Sequence, residues 1–142
     1  MLLSNGFINL HGLCYSNSSK TVKIKIMNKK IIVYEKPTCT TCRKLAKWLE
    51  ENGIKYENVN YYIEPLSEKK LRELLKKANL RAFDVLRKKE PIFKELNLTE
   101  QTPEDKIIEA ILKYPDLLQR PIVEIGDKAV LARPIEKIKE IL

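Results

Sequence analysis

The stretch KIIVYEK, residues 30–36, is a short run of β-branched and aromatic residues closed by Pro37. It predicts a buried strand. From Thr38 the apolar period lengthens. Cys42, Leu45, Ala46 and Leu49 share one helical face, Trp48 lies at its edge, and Gly53 supplies a stop. IKYENVNYY (54–62) alternates imperfectly and predicts a second strand. Pro65 and Ser67 open a helix with Ser67 as its N-cap and Leu71, Leu74, Leu75 and Ala78 as its stripe. Residues 82–98 predict short helices broken at Pro91. Thr102-Pro103-Glu104-Asp105 starts another helix, striped by Ile107, Ile108, Ile111 and Leu112 and ending near Pro115. PIVEIG (121–126) and AVLAR (129–133) predict two strands joined at Gly126-Asp127-Lys128, and PIEKIKEIL predicts a closing helix.

The order is strand, helix, strand, several helices, strand, strand, helix. The first unit is a βαβ crossover and the hairpin adds antiparallel strands. The economical solution is an α/β fold, a mixed sheet with helices on its faces.

Residues 1–26 break this pattern. They contain no acid, three lysines (Lys20, Lys23, Lys25) and much Ser, Asn and Gly. They lack the charged start and unbroken apolar run of a secretory signal. They read as a loosely ordered extension, with translation starting at Met27 and the domain covering 27–142. The alternation of Val22, Ile24 and Ile26 keeps a strand reading open.

At 142 residues the chain matches one domain. Its 44% hydrophobic and 32% charged residues describe a globular protein with no membrane-spanning run. The net charge is +8, interspersed with acids along helices. Lys69–Lys70 and Lys76–Lys77 read as a wet helix face, not as a nucleic-acid patch. Trp48, Tyr56, Tyr61 and Tyr62 read as core and sheet-face residues. Excess positive charge would suit a small anionic substrate.

Three cysteines do not make a disulfide scaffold, and the default compartment is the reducing cytoplasm. Cys39 and Cys42 could be half a zinc site, a redox pair or two buried small residues. Zinc needs four ligands, and only Cys14 and His11 in the extension could complete them. Burial suits Cys42, on the apolar helix face. It suits Cys39 poorly, because Cys39 sits at the strand-to-helix turn. A helix start presents unpaired N–H groups and the positive end of the dipole, and both favour thiolate, the nucleophilic form. The dipole supplies about 0.3–1 kcal/mol, against about 1.4 kcal/mol per pKa unit. Strong activation therefore needs fixed positive charge as well.

Arginine is the available source. Arg87 stands in VLRKKEP, and Arg120 and Arg133 bracket the hairpin, each before a proline. A single arginine is usually solvated decoration. Several guanidinium forks converging near a thiolate would bind a tetrahedral oxyanion and hold the sulfur ionised.

From about Lys29 to Leu142 the chain resembles the glutaredoxin-coupled arsenate reductases and their relatives, the Spx transcription regulators. KPTCTTCR, VLRKKEP, RPIVEIG and ARP carry the resemblance, in the family's order. It implies a thioredoxin-like, mixed four-stranded sheet with a helical insertion between strands 2 and 3. It implies that Cys39 is the nucleophile, that Arg87, Arg120 and Arg133 bind the oxyanion, and that Pro121 is the family's cis proline. It also implies the reaction. Cys39 attacks arsenate, glutathione attacks the adduct, arsenite leaves, and glutaredoxin resolves the mixed disulfide. No tightly bound cofactor is implied; the reductant is glutathione or a dithiol protein such as glutaredoxin or thioredoxin.

Two departures stand out. Glu35 and Lys36 occupy positions where many of these reductases carry histidine and asparagine. Cys42 completes a CTTC that resembles Spx, in which the pair forms a redox switch and the partner is the RNA polymerase α C-terminal domain. The third arginine, Arg133, is typical of the reductases and not of Spx. In the enzyme reading Cys42 is assigned a resolving role, attacking the adduct or mixed disulfide on Cys39; the bland alternative is a helix-face residue without chemistry.

Overall fold

The computed structural model describes residues 29–142. The expectations for the extension, for Met27, and for Cys14 and His11 lie outside the described residues.

β1 (Ile31–Glu35) leads into α1 (Thr40–Glu51), which returns the chain to β2 (Glu57–Asn60). β2 lies parallel to β1, with Val33 opposite Asn58. β3 (Ile122–Ile125) lies antiparallel on the other edge of β1, with Val33 opposite Val123, and β4 (Lys128–Leu131) pairs antiparallel with β3. The order is β2-β1-β3-β4, so the first strand is interior.

That position explains why KIIVYEK lacks clean alternation: helices cover both faces. Ile31 and Val33 face a core with Leu45 and Leu49 of α1, Val123, Ile125 and Ile138. Tyr34 and Ile122 face a second core with α2 (Glu68–Ala78) and α4 (Glu104–Lys113), where Leu71, Leu74, Ile107, Ile108 and Leu117 are buried. Each such side chain stabilises the fold by about 1.5–3 kcal/mol when taken fully from water.

The caps follow local chemistry. Ser67 Oγ accepts the Lys70 amide at 3.0 Å and starts α2. α1 stops at Gly53, φ 65°, where the Ile54 amide returns to the Leu49 carbonyl at 2.9 Å. Between α2 and α4 lie a 3-10 turn (Ala82–Val85) and α3 (Pro91–Glu95), the short helices expected for 82–98. Pro91 opens α3 at its first position as well as ending what precedes it.

Three features differ from the sequence pattern. β2 is four residues long because Asn60 O accepts the amides of Ile63 and Glu64, turning the chain out of the sheet. The closing segment is a 3-10 helix, Ile135–Glu140. Ile135, Ile138 and Ile141 recur every three residues and all meet one core, which is the 3-10 period. Finally, Lys70 and Lys77 do not form a wet face. Both reach across to Glu124 of β3, a carboxylate only 4% exposed that also accepts from Tyr34 Oη at 2.9 Å. No helix among the described residues is long and apolar enough to cross a membrane.

Candidate functional site

β1 ends at Glu35, and a tight turn over Pro37 and Thr38 closes when the Cys39 amide donates to Lys36 O at 2.9 Å. Cys39 is the N-cap residue of α1, with extended backbone, and its carbonyl accepts the Arg43 amide at 3.1 Å. Its side chain is half-buried. Cys42, one turn along on the apolar face, is fully buried.

The two thiols are driven apart in acidity. Burial pushes the Cys39 thiol up, but the backbone N–H groups of Cys42 and Thr41, the Cys42 thiol and the Arg120 guanidinium together pull it below the ordinary cysteine value. No side-chain capping hydrogen bond closes at this end, so the amides act as oriented dipoles and not as formed bonds. Cys42 goes the other way, to about 12, chiefly through burial and then through its hydrogen bond to Cys39 and the negative charge there. Of the two sulfurs Cys39 is the one that ionises more readily, and the Cys42 S–H donates to it.

Arg120 is 7% exposed. Its Nη1 donates to Leu118 O at 3.4 Å, and its Nε is buried without a partner. No carboxylate of the described residues forms an ion pair with it. A buried guanidinium without a counter-ion is costly. Here the groups acting on it are Tyr61, Tyr62 and Cys39, which favour its charged form against desolvation. Tyr61 Oη donates to the same Leu118 carbonyl at 3.4 Å. Tyr62 Oη donates to Asp116, and Lys36 lies 4.5 Å above the Tyr62 ring and 3.4 Å from Asp116 Oδ1.

Arg133 Nη1 donates to Thr41 Oγ1, between the two cysteines, and to the main-chain oxygen of Arg120, both at 3.1 Å. The peptide bonds from Arg120 to Pro121 and from Arg133 to Pro134 are cis. Arg87 is tied by its amide to Leu117 O at 2.7 Å and by Nε to Glu90 at 3.1 Å. Arg87 and Arg133 line one cavity of about 350 Å3. Arg133 thus meets the segment between the cysteines directly, the Arg120 charge acts on Cys39, and Arg87 shares a cavity with Arg133.

Glu35 is buried, and desolvation raises its pKa. Its negative charge raises the pKa of Cys42 and of Tyr56. Lys36 turns away to Asp116. Among the described residues no group of three or more His, Cys, Asp or Glu is placed to hold a metal ion.

Sequence reasoning missed Thr41, Tyr61, Tyr62 and Asp116 as site neighbours. Thr41 stood inside the cysteine loop and could have been found. Asp116 could not, because nothing local links it to Lys36, eighty residues away.

Residues 34–141 match the model of the ArsC family. The chain is 37% identical over 118 residues to the uncharacterized protein YfgD of Escherichia coli, covering 82% of this chain and 99% of that one. It is 34% identical over 94 residues to the global transcriptional regulator Spx 1 of Bacillus cereus, covering 66% and 72%. The solved structure of an arsenate reductase from Vibrio cholerae superposes with a TM-score of 0.76 at 32% identity, covering 80% of this chain and 98% of that chain. The four-stranded sheet described above is therefore the thioredoxin-like fold of those proteins.

Proposed function

The chain belongs to the ArsC family, and on that premise we propose that it is a thiol-dependent oxidoreductase of the cytoplasm that reduces arsenate to arsenite through Cys39. The observation that carries the reading is Arg120: a buried guanidinium with an unpartnered Nε, acting on a sulfur whose pKa is lowered. Such a group offers a bidentate donor edge to a tetrahedral oxyanion and removes the repulsion between thiolate and arsenate. Arg133 and Arg87 supply further positive charge around the loop.

The reaction follows from two sulfurs of opposite acidity. The Cys39 thiolate attacks arsenic, an S–As bond forms, and an arsenate oxygen leaves as water after taking protons. A second thiolate then attacks the Cys39 sulfur. The S–S bond forms, the S–As bond breaks, and its electron pair leaves with arsenic as arsenite. Two thiols are oxidised and arsenic is reduced by two electrons. Cys42 is one candidate for the second thiol. Its high pKa derives partly from the Cys39 charge, and that charge disappears once Cys39 carries arsenic. Capping Cys39 therefore acidifies Cys42 at the step that needs it. Glutathione is the other candidate, with glutaredoxin or thioredoxin restoring the thiols.

Arsenite release from arsenate, with glutathione and glutaredoxin or with thioredoxin as reductant, is the test, and Cys39→Ser should abolish it. No release with either reductant rejects the reading.

The hydrogen-bonded cysteine pair also supports a second reading, a redox-sensing regulator that binds the RNA polymerase α C-terminal domain. Pull-down with that domain under oxidising and reducing conditions separates the two. Absence of binding in both excludes the regulator.

A further inference from the structure

Glu35 is a buried carboxylate to which the arsenate reaction gives no role. It closes β1, and the residues of a strand alternate between its two faces. Ile31 and Val33 pack with Leu45 and Leu49 of α1, while Ile32 and Tyr34 pack on the opposite face. Glu35 therefore points under α1, toward the side that carries Cys42, Leu45 and Leu49. Only 7% of it is exposed, and its carboxylate forms no hydrogen bond or ion pair with any described residue. A buried carboxylate without a partner costs stability, and such groups recur where protons move.

Its neighbour is the sulfur that must lose a proton. Cys42 Sγ accepts the main-chain N–H of Lys36, the residue after Glu35, and the Glu35 charge acts on that sulfur. Cys42 is fully buried, so its S–H has no access to water. Burial raises the Glu35 carboxyl, which brings its proton affinity nearer to that of a thiol. The charged residues of α1, Arg43, Lys44, Lys47, Glu50 and Glu51, are exposed, as are Glu136, Lys137, Lys139 and Glu140 of the closing 3-10 helix. Glu124 of β3 lies on the other face with Tyr34, and Arg120 turns to Leu118 O. Tyr56 also feels the Glu35 charge, but burial first, and then Glu50 and Glu35, raise its pKa and keep its own proton in place at neutral pH.

We propose that Glu35 takes the proton of Cys42 in the step that closes the Cys39–Cys42 disulfide. The proposal rests on the reading of Cys42 as the second thiol. The Cys42 S–H bond breaks and its proton passes to the Glu35 carboxylate. The Cys42 sulfur attacks Cys39 Sγ, and an S–S bond forms. The bond from Cys39 to its arsenic or sulfur substituent breaks, and the electron pair leaves with that substituent. Two thiols are oxidised, the substituent is reduced, and Glu35 then returns the proton to water.

The test uses the full chain with Cys14→Ser and one equivalent of dithiobis(nitrobenzoate), which is the oxidant. Cys39 releases the first thionitrobenzoate. Cys42 releases the second by displacing the other half from Cys39, and this phase is followed by stopped flow at neutral pH. Glu35→Gln should slow the second release about a hundredfold, the loss of a positioned base, and slow the first far less. A charge effect alone has the opposite sign, because removing the Glu35 charge lowers the Cys42 pKa and speeds the attack. Glu35→Ala should be slowed likewise and regain rate with added formate but not with chloride. A second release that is unchanged or faster in Glu35→Gln overturns the proposal, as does a slowed Glu35→Ala that formate does not restore. Either variant decides the matter if the other fails to fold. A wild type that releases a single equivalent removes Cys42 as the second thiol and this proposal with it. No arsenate is present, so arsenate reduction with glutathione is left to its own test.

Discussion

Arg133 and Thr41 are joined across the site, Nη1 to Oγ1 at 3.1 Å, while the same nitrogen holds the main-chain oxygen of Arg120 at 3.1 Å. One guanidinium therefore staples the first turn of α1, between the cysteines, to the buried arginine that stands just before β3. Each of the two N–H groups on that nitrogen is spent on one partner.

Removing the hydroxyl tests that staple. Thr41→Val should weaken the hold on Arg133 by about 1 kcal/mol, the net worth of one hydrogen bond. The readout is the ratio of Cys39 alkylation by iodoacetate, an anion, to that by neutral iodoacetamide. It should fall in Thr41→Val and return in Thr41→Ser. An unchanged ratio in both variants removes Thr41 from the site.

The field of Arg120 is measured by the pH dependence of Cys39. A lowered thiol pKa means that reactivity with iodoacetamide is already developed below about pH 8.5, the ordinary cysteine value, and is lost as pH falls through the lower value. Arg120→Met should move this profile toward alkaline pH. A profile identical to wild type would remove Arg120 from activation.

The Cys42 thiol also holds Cys39 ionised, by donating to it. Cys42→Ala should shift the Cys39 profile upward, whereas Cys42→Ser keeps a donor and shifts it less. In the wild type, limiting iodoacetamide followed by peptide mass analysis should find label on Cys39 well ahead of Cys42, whose pKa is about 12 and whose side chain is buried. Equal labelling would contradict the assigned proton positions.

Glu124 gives the fold an acid-side dependence. Burial pushes its carboxyl up, but Lys77, Lys70 and Tyr34 outweigh burial and hold it below the usual carboxylate range. A depressed folded value means the stabilisation is present above the unfolded pKa of about 4.3 and is lost as pH falls through the folded value. Glu124→Gln should reduce stability near neutral pH by about 2–3 kcal/mol, as for breaking hydrogen bonds to a charged group, and flatten the urea midpoint between pH 3 and 5. A variant that keeps the wild-type slope would locate the acid sensitivity elsewhere.

Much of the fold was legible because its signals are local. Ser67 had to cap a helix, Gly53 had to end one, and the Gly126 hairpin could join only adjacent strands. The cysteine loop was legible for the same reason. Cys39 falls where a strand becomes a helix, and the preference of a helix start for negative charge belongs to that backbone alone. The closing 3-10 helix was misread as an ordinary one, although its isoleucines recur every three residues. Lys69 and Lys76 are exposed as expected, but Lys70 and Lys77 were misread because their partner, Glu124, lies about fifty residues away and nothing in either segment announces the other.

The amino-acid order alone determined which sulfur stands at a helix start and which two strands form the hairpin, because each depends on neighbours in sequence. Only the tertiary structure decided that Arg120 is buried without a counter-ion, that Arg133 spends one nitrogen on the loop itself, and that Arg87 meets it across a cavity. Those facts are set by the depth and direction of side chains brought together from distant segments. Electrostatic strength inside a protein depends on depth and direction far more than on the charges present.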